Sequence, residues 1–303
     1  MKLHILGCYA ATPRTLTNPT SQVLEIRNHL FLIDCGEGTQ VQLRKHKIKF
    51  SKIHHMFISH LHGDHFFGLP GLVSTFRLLG RRDPLHIHGP KGIKEAITLL
   101  LKLGDSWTDY PLLFHELDSK EPQTVFEDGN VSVETIPLDH RIYTNGFLFR
   151  EKRSPYRKLD KAALERYQID TCFFQLIKNG EDHIREDGTI IANKELTLDP
   201  PDPKSYAYCS DTAYRPAMVP QIKDVDILYH ESTFLESESD KALKTRHATA
   251  KEAAAIALAA GVRLLILGHY STRYGSIELF RQEAMEVFPN VELADDGRMF
   301  TFP

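Results

Sequence analysis

The sequence predicts a mixed α/β protein in which helices cover layered sheets. Short apolar runs typical of strands alternate with helical segments along the whole chain. Polar residues directly follow many of these strands, as they do at the sites of layered α/β folds. The 303 residues are enough to bury a large core, and they contain no evident linker and no low-complexity tract. We therefore expect a single domain over residues 1–303.

The N-terminal part of the chain predicts several strands. Leu3–Leu6 is a short apolar run, and Val23–Ile26 and Leu30–Ile33 form a candidate hairpin. A glycine-rich turn follows the hairpin, and helical character begins at Thr39. The apolar run Ile53–Ile58 predicts a strand that ends immediately before a cluster of histidines.

The rest of the chain predicts further strands and a well-marked helix, His247–Ala260. This helix has a capping box at Thr249 and Glu252 and a stop signal at Gly261. Other predicted helices are Gly92–Leu103 and a segment that begins at about Gly71. The predicted strands are Leu85–His88, Val131–Ile136, Phe147–Phe149, Phe173–Ile177, Ser205–Cys209, Asp226–Tyr229 and Leu264–Leu267.

Composition excludes several classes of protein. The formal charge of -3 argues against a protein that coats nucleic acid through bulk positive charge, although a local basic patch is compatible with it. No apolar run approaches the roughly 20 residues of a membrane-spanning helix, and the N-terminus does not resemble a signal peptide. We therefore expect a cytoplasmic protein. The cysteines, Cys8, Cys35, Cys172 and Cys209, form no C-x-x-C pair, so we expect buried, reduced thiols.

A dense cluster of metal-ligand residues follows the strand Ile53–Ile58. His60, His62, Asp64 and His65 lie within six residues of one another. Imidazole and carboxylate ligands together suit Zn²⁺, with Mn²⁺ or Fe²⁺ as alternatives. The spacing allows one ion at the first two histidines and a second at the other pair. Two ions held close together are suited to displacement at phosphorus.

Other polar residues at strand ends are candidates for the ligands that this cluster lacks. They are Asp34, His140, Asp211, His230 and His269. Each of them alone would more often be an ordinary hydrogen-bonded residue or a helix cap. Their value is that they could complete the coordination of two ions.

Residues 150–166 form a basic island in an acidic protein. Seven Lys and Arg side chains stand against three acids there, which gives a local balance of 7 - 3 = +4. Asp160 is placed to cap a short helix. Composition alone allows either a solvated surface loop or a binding surface for an anionic partner. The candidate contact residues are Arg150, Lys152, Arg153, Arg157 and Lys158.

Motifs spread over nearly the whole chain resemble one known family. His60–His65 is similar to the signature of the metallo-β-lactamase superfamily. The longer stretch Ser59–Leu72 and the segments Asp34–Gln40, His230–Thr233 and Gly268–Tyr274 resemble the ribonuclease Z family in its short form. That family consists of endonucleases that remove the 3′ trailer from precursor tRNA.

The resemblance implies a fold and a set of metal ligands. The fold would be a four-layer αβ/βα sandwich with a protruding arm inserted at about residues 150–180. Two zinc ions per subunit would be held, one by His60, His62 and His140 and the other by Asp64, His65 and His269, with Asp211 as the bridge. Asp64 would also orient or deprotonate the attacking water. His247, oriented by Glu231, would assist the leaving oxygen.

The resemblance also implies the partners. The arm would grip the elbow of a precursor tRNA bound to the other subunit of a homodimer, and Arg273 would meet a phosphate. The chain departs from the family's pattern near the return strand of the arm, Gln168–Gly180, where a Pro-Gly run is absent. It also has Cys8 and Tyr9 where the family has a small Thr-Gly pair.

Three alternatives stay open. A hydrolase of the same fold could act on small phosphodiesters or arylsulfates, and such an enzyme would have no use for an arm. A redox di-iron relative would carry Glu in place of His62. A non-catalytic RNA-binding relative would have lost ligands that this chain retains.

Overall fold

The computed structural model describes residues 1–12 and 14–302 of the chain. Strands supply most of the framework. The strands are β1 (Lys2–Gly7), β2 (Ser21–Ile26), β3 (His29–Ile33), β4 (Ile53–Phe57), β5 (Leu85–Pro90), β6 (Leu112–Leu117), β7 (Thr124–Glu127), β8 (Val131–Pro137), β9 (Asn145–Glu151), β10 (Lys158–Leu159), β11 (His183–Ile184), β12 (Ile190–Ile191), β13 (Thr197–Leu198), β14 (Ser205–Cys209), β15 (Ile227–Glu231), β16 (Leu264–Gly268), β17 (Val291–Leu293) and β18 (Met299–Thr301).

Helices connect and cover these strands. They are α1 (Thr39–Lys45), α2 (Gly63–Phe66), α3 (Leu69–Leu78), α4 (Ile93–Leu103), α5 (Lys161–Arg166), α6 (Phe174–Lys178), α7 (Asn193–Leu196), α8 (Ser239–Thr245), α9 (Ala250–Ala260) and α10 (Glu278–Met285).

Two seven-stranded sheets form the main body. The first has the order β18-β1-β2-β3-β4-β5-β6, and the second has the order β17-β16-β15-β14-β9-β8-β7. The predicted hairpin is confirmed, because β2 and β3 pair in antiparallel register from Gln22↔Ile33 to Ile26↔His29. From β3 to β6 the first sheet is parallel, and β14 to β17 form a parallel block in the second. Parallel strands place their carboxyl ends at one edge, where sites form in such folds.

Apolar side chains fill the space between the two sheets and cover the outer face of each. Phe31 and Phe57 of the first sheet share one buried cluster with Tyr206 and Leu267 of the second and with residues of α9 and α10. A separate buried cluster joins the first sheet to α3 and α4, for example through Phe76. The layers are therefore helix, sheet, sheet and helix, which confirms the expected αβ/βα sandwich.

The chain divides into two compact units. The larger contains residues 1–127, 131–150 and 204–303, and the smaller contains residues 128–130 and 151–203. Within the smaller unit, α5 to α7 and the short pairs β10–β13 and β11–β12 surround a core of their own, which includes Leu164, Ile177 and Leu196. The basic island lies almost wholly in this unit, which extends beyond the expected insert to residue 203. The expectation of one domain with an inserted arm stays a prediction.

Several local predictions need correction. The predicted strand Phe173–Ile177 is a 3₁₀ turn followed by helix α6, because Asp170 caps this segment by accepting from the backbone N–H of Cys172. A short apolar run does not distinguish a strand from a helix. Cys172 is exposed, whereas Cys8, Cys35 and Cys209 are buried as expected.

Helix α9 begins at Ala250 and not at His247, because its predicted capping box at Thr249 and Glu252 fixes the start. The predicted cap of α5 by Asp160 is present. Among the described residues, no helix is long and apolar enough to cross a membrane.

Candidate metal centre

The predicted ligands meet at the carboxyl-terminal ends of strands from both sheets. His60 and His62 follow β4, and the short helix α2 carries Asp64 and His65. From the second sheet come His140 after β8, Asp211 after β14 and His269 after β16. Asp211 and His269 have φ angles of 57° and 59°, in the left-handed region, which turns the chain sharply where each strand ends.

One group of ligand atoms consists of His60, His62, His140 and Asp211. The Nε2 atom of His60 lies 3.0 Å from Nδ1 of His62, which lies 3.3 Å from Nε2 of His140. Oδ2 of Asp211 is 3.4 Å from His60 Nε2 and 3.6 Å from His140 Nε2.

A second group consists of Asp64, His65 and His269. The Nε2 atoms of the two histidines are 3.4 Å apart, and Oδ2 of Asp64 lies 3.5 Å from one and 3.4 Å from the other. The other carboxylate oxygen of Asp211, Oδ1, is 3.2 Å from His65 Nε2 and 3.1 Å from His269 Nε2. Asp211 therefore presents one oxygen to each group.

These spacings fit metal coordination. Two ligand atoms held tetrahedrally at about 2.0–2.1 Å from one zinc ion lie about 3.3–3.4 Å apart. The distances between neighbouring ligand atoms within the groups run from 3.0 to 3.6 Å. The residues present therefore match the size of a coordination shell around each of two centres.

Outer hydrogen bonds fix the histidine rings so that one nitrogen faces inward. Nδ1 of His65 donates to Asp34 over 2.7 Å, and Nδ1 of His140 donates to the carbonyl of Arg246 over 2.9 Å. Nδ1 of His269 lies 2.8 Å from the Thr233 hydroxyl oxygen, and Nδ1 of His60 lies 3.0 Å from that of Ser59. Such partners are typical of metal-bound histidines, since they set the tautomer and the ring orientation.

A neutral imidazole that is protonated at one nitrogen offers a lone pair at the other, and a carboxylate offers no hydrogens. Nε2 faces inward in His60, His65, His140 and His269, whereas Nδ1 faces inward in His62. Burial lowers the pKa of His60 and His62, and lowers that of His140 to about 4. Burial would also lower the pKa of His65, but Asp211, Asp64 and Asp34 raise it well above its ordinary value. The centre therefore attracts cations, and the clusters are compatible with metal binding.

His247 and Glu231 form an ion pair beside the centre. Nδ1 of His247 donates to Oε1 of Glu231 over 2.8 Å, and the ring stacks on His269 with centroids 5.4 Å apart. Burial would lower the pKa of His247, but the Glu231 carboxylate raises it to about 9. Burial likewise would raise the pKa of Glu231, but His247 lowers it to about 2. The Glu231 carboxylate therefore favours the protonated form of His247.

A cavity of about 320 Å³ opens over these groups. Its lining includes Asp64, His247 and His269, together with Arg141 and Ser271. Arg141 was not predicted as a site residue, because the adjacent His140 is the stronger candidate there as a metal ligand.

The hydrogen bonds by which two further residues orient the site were also not predicted from the sequence. Asp34 was a candidate ligand, but it belongs to neither ligand group, and its carboxylate accepts hydrogen bonds from His65, Ser59 and Tyr208 instead. Thr233 lies in the noted stretch His230–Thr233, and its hydroxyl donates to Glu231 over 2.6 Å. His230, by contrast, is buried, and its Nδ1 donates to the carbonyl of Glu231 away from both ligand groups.

The four arginines among the predicted RNA-contacting residues have partners within the protein. Arg273 donates to Glu238 over 3.1 Å and lies over the ring of Phe234. Arg150 belongs to β9, and its guanidinium donates to the carbonyl of Gln221. In the smaller unit, Arg153 pairs with Asp202 over 3.0 Å, Arg157 pairs with Asp199, Lys152 makes a backbone bond to Asn130, and Lys158 lies in β10.

The sandwich and its histidine–aspartate centre define a protein of the metallo-β-lactamase fold. YhfI from Bacillus subtilis, described as a metallo-β-lactamase fold protein, superimposes with a TM-score of 0.68 at 18% identity, covering 99% of this chain and 98% of its own. The crystal structure of human tRNase Z, short form, has a TM-score of 0.72 at 27% identity, with 100% of both chains covered.

A curated relative shows the family. Ribonuclease Z from Bacteroides fragilis is 50% identical over 296 residues, which are 98% of this chain and 97% of that protein. The chain belongs to the ribonuclease Z family. Its residues 1–156 also match the family model described as anti-Pycsar protein Apyc1.

Proposed function

We propose that this chain is a metal-dependent endoribonuclease that removes the 3′ trailer from precursor tRNA. Water attacks the phosphorus, and the bond from phosphorus to the 3′ oxygen breaks. The tRNA keeps a 3′-hydroxyl, and the trailer keeps a 5′-phosphate. The observation that carries the proposal is the pair of ligand groups joined by Asp211, with the His247–Glu231 pair beside them, in a chain of the ribonuclease Z family.

We propose that two zinc ions occupy the centre in each subunit, with Mn²⁺ or Fe²⁺ as alternatives. His60, His62 and His140 would hold one, and Asp64, His65 and His269 would hold the other, with Asp211 shared. The converging lone pairs and the spacing of the ligand atoms support this assignment. Such ions, when bound, neutralise charge on a phosphodiester and lower the pKa of water.

Protein groups supply the proton transfers. Asp64, with its carboxylate at the edge of the site cavity, orients the attacking water and accepts its proton. His247 lines the same cavity in its protonated form and gives a proton to the leaving 3′ oxygen. Glu231 holds His247 in the charged state through their hydrogen bond.

We propose that the smaller unit acts as the arm that grips the tRNA body. Arg153 and Arg157 would exchange their aspartate partners for phosphates, and Lys152, Lys158 and Arg150 would add to the same charge. Arg273, which follows Ser271 of the site cavity, would meet a phosphate. Contacts of this kind read the shape and backbone of an RNA and not its sequence.

The same proposal includes a homodimer in the cytoplasm. Exposed apolar side chains on and beside the neighbouring helices α3 and α4 support a protein interface on the larger unit. Leu78 is 85% exposed and Leu103 is 75% exposed. Sedimentation equilibrium of the purified chain gives the oligomeric state, and a monomer at working concentration contradicts the dimer.

Metal analysis combined with mapping of the product ends tests the function. We expect about two metal ions per chain and a single cut that leaves the stated termini on a precursor tRNA. The variant Asp64→Ala tests the mechanism. We expect it to lose cleavage activity while its thermal unfolding temperature stays close to that of the wild type. Unimpaired turnover by Asp64→Ala, or products with the phosphate on the tRNA end, contradicts the mechanism.

Replacing the smaller unit distinguishes tRNA processing from the hydrolysis of small phosphodiesters. Arg150 and Ser205 are register partners on the antiparallel strands β9 and β14, so a short glycine linker can join β9 to β14 in place of residues 151–203. We expect this variant to lose tRNA cleavage and to keep activity on a small chromogenic phosphodiester. Equal survival of both activities contradicts the role of the smaller unit in tRNA cleavage, whereas a wild-type chain that cleaves only the small phosphodiester favours the small-substrate alternative.

A further inference from the structure

A second basic region lies in the larger unit, far along the sequence from the smaller unit. No Asp or Glu occurs between Glu37 and Asp64, and five Lys or Arg residues fall in the nine residues from Arg44 to Lys52. Arg44 and Lys45 stand in the last turn of α1, where they complement the helix dipole. The cations beyond the helix, Lys47, Lys49 and Lys52, have no such structural reason.

These three lysines line a cavity of about 400 Å³, which we call the basic pocket. The β2–β3 turn contributes Arg27 to the same wall. The remaining lining residues are His4, Glu25, Asn28, His29, Leu30, His46 and Ile48. Glu25 is the single acid among the described lining residues, and it pairs with Lys2 over 3.8 Å. The pocket therefore carries a clear excess of positive charge.

The lysines of the basic pocket are exposed and available. Within the described part of the chain, Lys47, Lys49 and Lys52 have no acidic partner within 4.0 Å. Arg153 and Arg157 of the smaller unit, by contrast, both pair with aspartates. Free cations concentrated in a concave site favour binding of an anion.

An apolar cavity adjoins the basic pocket and shares Ile48 and Lys49 with it. This second cavity has a volume of about 530 Å³, and its wall includes Phe50 and Arg82. Arg44 lies over the ring of Phe50 at 5.5 Å. A basic groove with aromatic and guanidinium surfaces beside it is the chemistry that binds single-stranded nucleic acid, where cations track phosphates and flat groups meet bases.

The basic pocket and the metal centre lie at opposite ends of the same strands. Strand β3 begins at His29 in the pocket and ends at Ile33, directly before Asp34 of the centre. Strand β4 likewise follows Lys52 and leads to His60. Five residues of strand span about 16 Å. A ligand that touches both places must therefore run along the protein surface for at least that distance.

We propose that the basic pocket binds phosphates of the single-stranded 3′ trailer. The inference rests on the proposed function, since it takes precursor tRNA as the substrate. A base-paired RNA stem at the metal centre is too stiff to bend over the protein surface. The unpaired RNA beyond the cleavage site is flexible and can follow that surface. The pocket then adds affinity for precursors whose trailer is long enough to reach it.

Removing the three lysines tests the proposal. The variant Lys47→Ala/Lys49→Ala/Lys52→Ala is compared with Lys223→Ala/Lys244→Ala/Lys251→Ala, which removes the same charge from exposed positions elsewhere on the larger unit. The substrates are a precursor with a long unpaired trailer and one whose trailer is shorter than the roughly 16 Å that separate the two places. For the long trailer we expect KM to rise about tenfold in the first variant, with kcat unchanged. For the short trailer, and for the control variant on either substrate, we expect wild-type KM.

Salt dependence and direct binding complete the test. With a labelled single-stranded RNA of trailer sequence, we expect the slope of log affinity against log salt to flatten by about 2 when three phosphate contacts are lost. Wild-type KM on the long trailer, or an equal rise on both precursors, overturns the proposal while the cleavage function stands. If the wild-type chain cleaves neither precursor, the proposed function fails. In that case, RNA binding of equal affinity in the wild type and the lysine variant also overturns the proposal that the basic pocket binds RNA.

Discussion

At the scale of single residues, Asp34 holds the metal centre together from outside the ligand set. Its Oδ2 accepts from His65, from the hydroxyl of Ser59 and from Tyr208, and its Oδ1 accepts from the backbone N–H of Ser59. Asp34 is fully buried and has a left-handed φ of 54°. These donors hold the carboxylate in place, and its hydrogen bond to Nδ1 favours the orientation in which His65 presents Nε2 to the centre.

Asp34→Asn should weaken metal binding without changing a ligand. The amide carries no charge and cannot accept four hydrogen bonds, so His65 loses its fixed orientation. We expect metal affinity to fall about 10–100-fold, measured by competition with a chelator. Tyr208→Phe is the matched control, since it removes one hydrogen bond and leaves the Asp34 charge, and its affinity should stay within a few-fold of wild type. Full metal retention in Asp34→Asn argues against this positioning role.

His247→Ala should separate proton donation from metal binding. We expect turnover on precursor tRNA to fall about 100-fold, because a general acid contributes that order of rate. Metal content should stay at the wild-type value, and His54→Ala, an exposed histidine elsewhere on the larger unit, should leave both unchanged. The Asp211, His247 and His269 side chains are close enough to form a ligand group of their own, so loss of metal in His247→Ala would make His247 a ligand instead.

At the scale of elements, the sequence predicts the site better than it predicts some of the secondary structure. The dense spacing of His60–His65 and the strand-end residues His140, Asp211 and His269 are local signals, and the folded chain brings them together. The error at Phe173–Ile177 arose because the local cap at Asp170 outweighs an apolar run that suits either element.

Contacts between distant segments have no local signal in one sequence. Arg141 and Thr233 became visible only when the cavity wall and the hydrogen bonds of Glu231 were known. The pairing of Asp34 with a histidine 31 residues away is of the same kind.

Thr249→Ala tests the element that follows His247. The Thr249 hydroxyl accepts from the backbone N–H of Glu252, and the Glu252 carboxylate accepts from the N–H of Thr249. Thr249→Ala removes the hydroxyl and keeps the hydrogen bond from the Thr249 backbone to Glu252. This loss should lower the free energy of unfolding by about 1 kcal/mol, measured by urea denaturation. Thr249→Ser keeps the hydroxyl and should recover most of that loss, whereas an equal effect in both variants would point to packing of the methyl group.

At the scale of the whole molecule, the space between the sheets contains a row of imidazoles at one side. His55, His86, His88 and His115 come from the adjacent strands β4, β5 and β6 and stack on one another, with centroids 4.4–5.5 Å apart. Burial, followed by the neighbouring histidines, lowers the pKa of His55 to about 3 and that of His88 to about 2. His88 is buried and His55 is half-buried, whereas His115 on the edge strand β6 is exposed, so the inner rings of the row resist protonation most strongly.

The row should make the protein sensitive to acid. The unfolded chain takes up protons on these histidines near pH 6.5, whereas the folded chain resists them down to the lowered pKa values. Stability is therefore full above pH 6.5 and falls as the pH drops, by up to about 1.4 kcal/mol per pH unit for a fully buried histidine. We expect His88→Phe, which keeps the stacking on Phe57, to lose less stability between pH 7 and pH 5 than wild type in urea denaturation. Parallel curves for the two proteins would contradict this origin of acid sensitivity.

The candidate ligands are spread along the chain, from His60 after β4 of the first sheet to His269 after β16 of the second. A ribosome delivers the chain from its N-terminus, so the first four candidate ligands emerge long before their partners. A nascent chain that ends before β16 has no His269, and its second ligand group is incomplete. The centre can therefore assemble only after strand β16 and His269 have been synthesised. A prematurely terminated chain would have no nuclease activity.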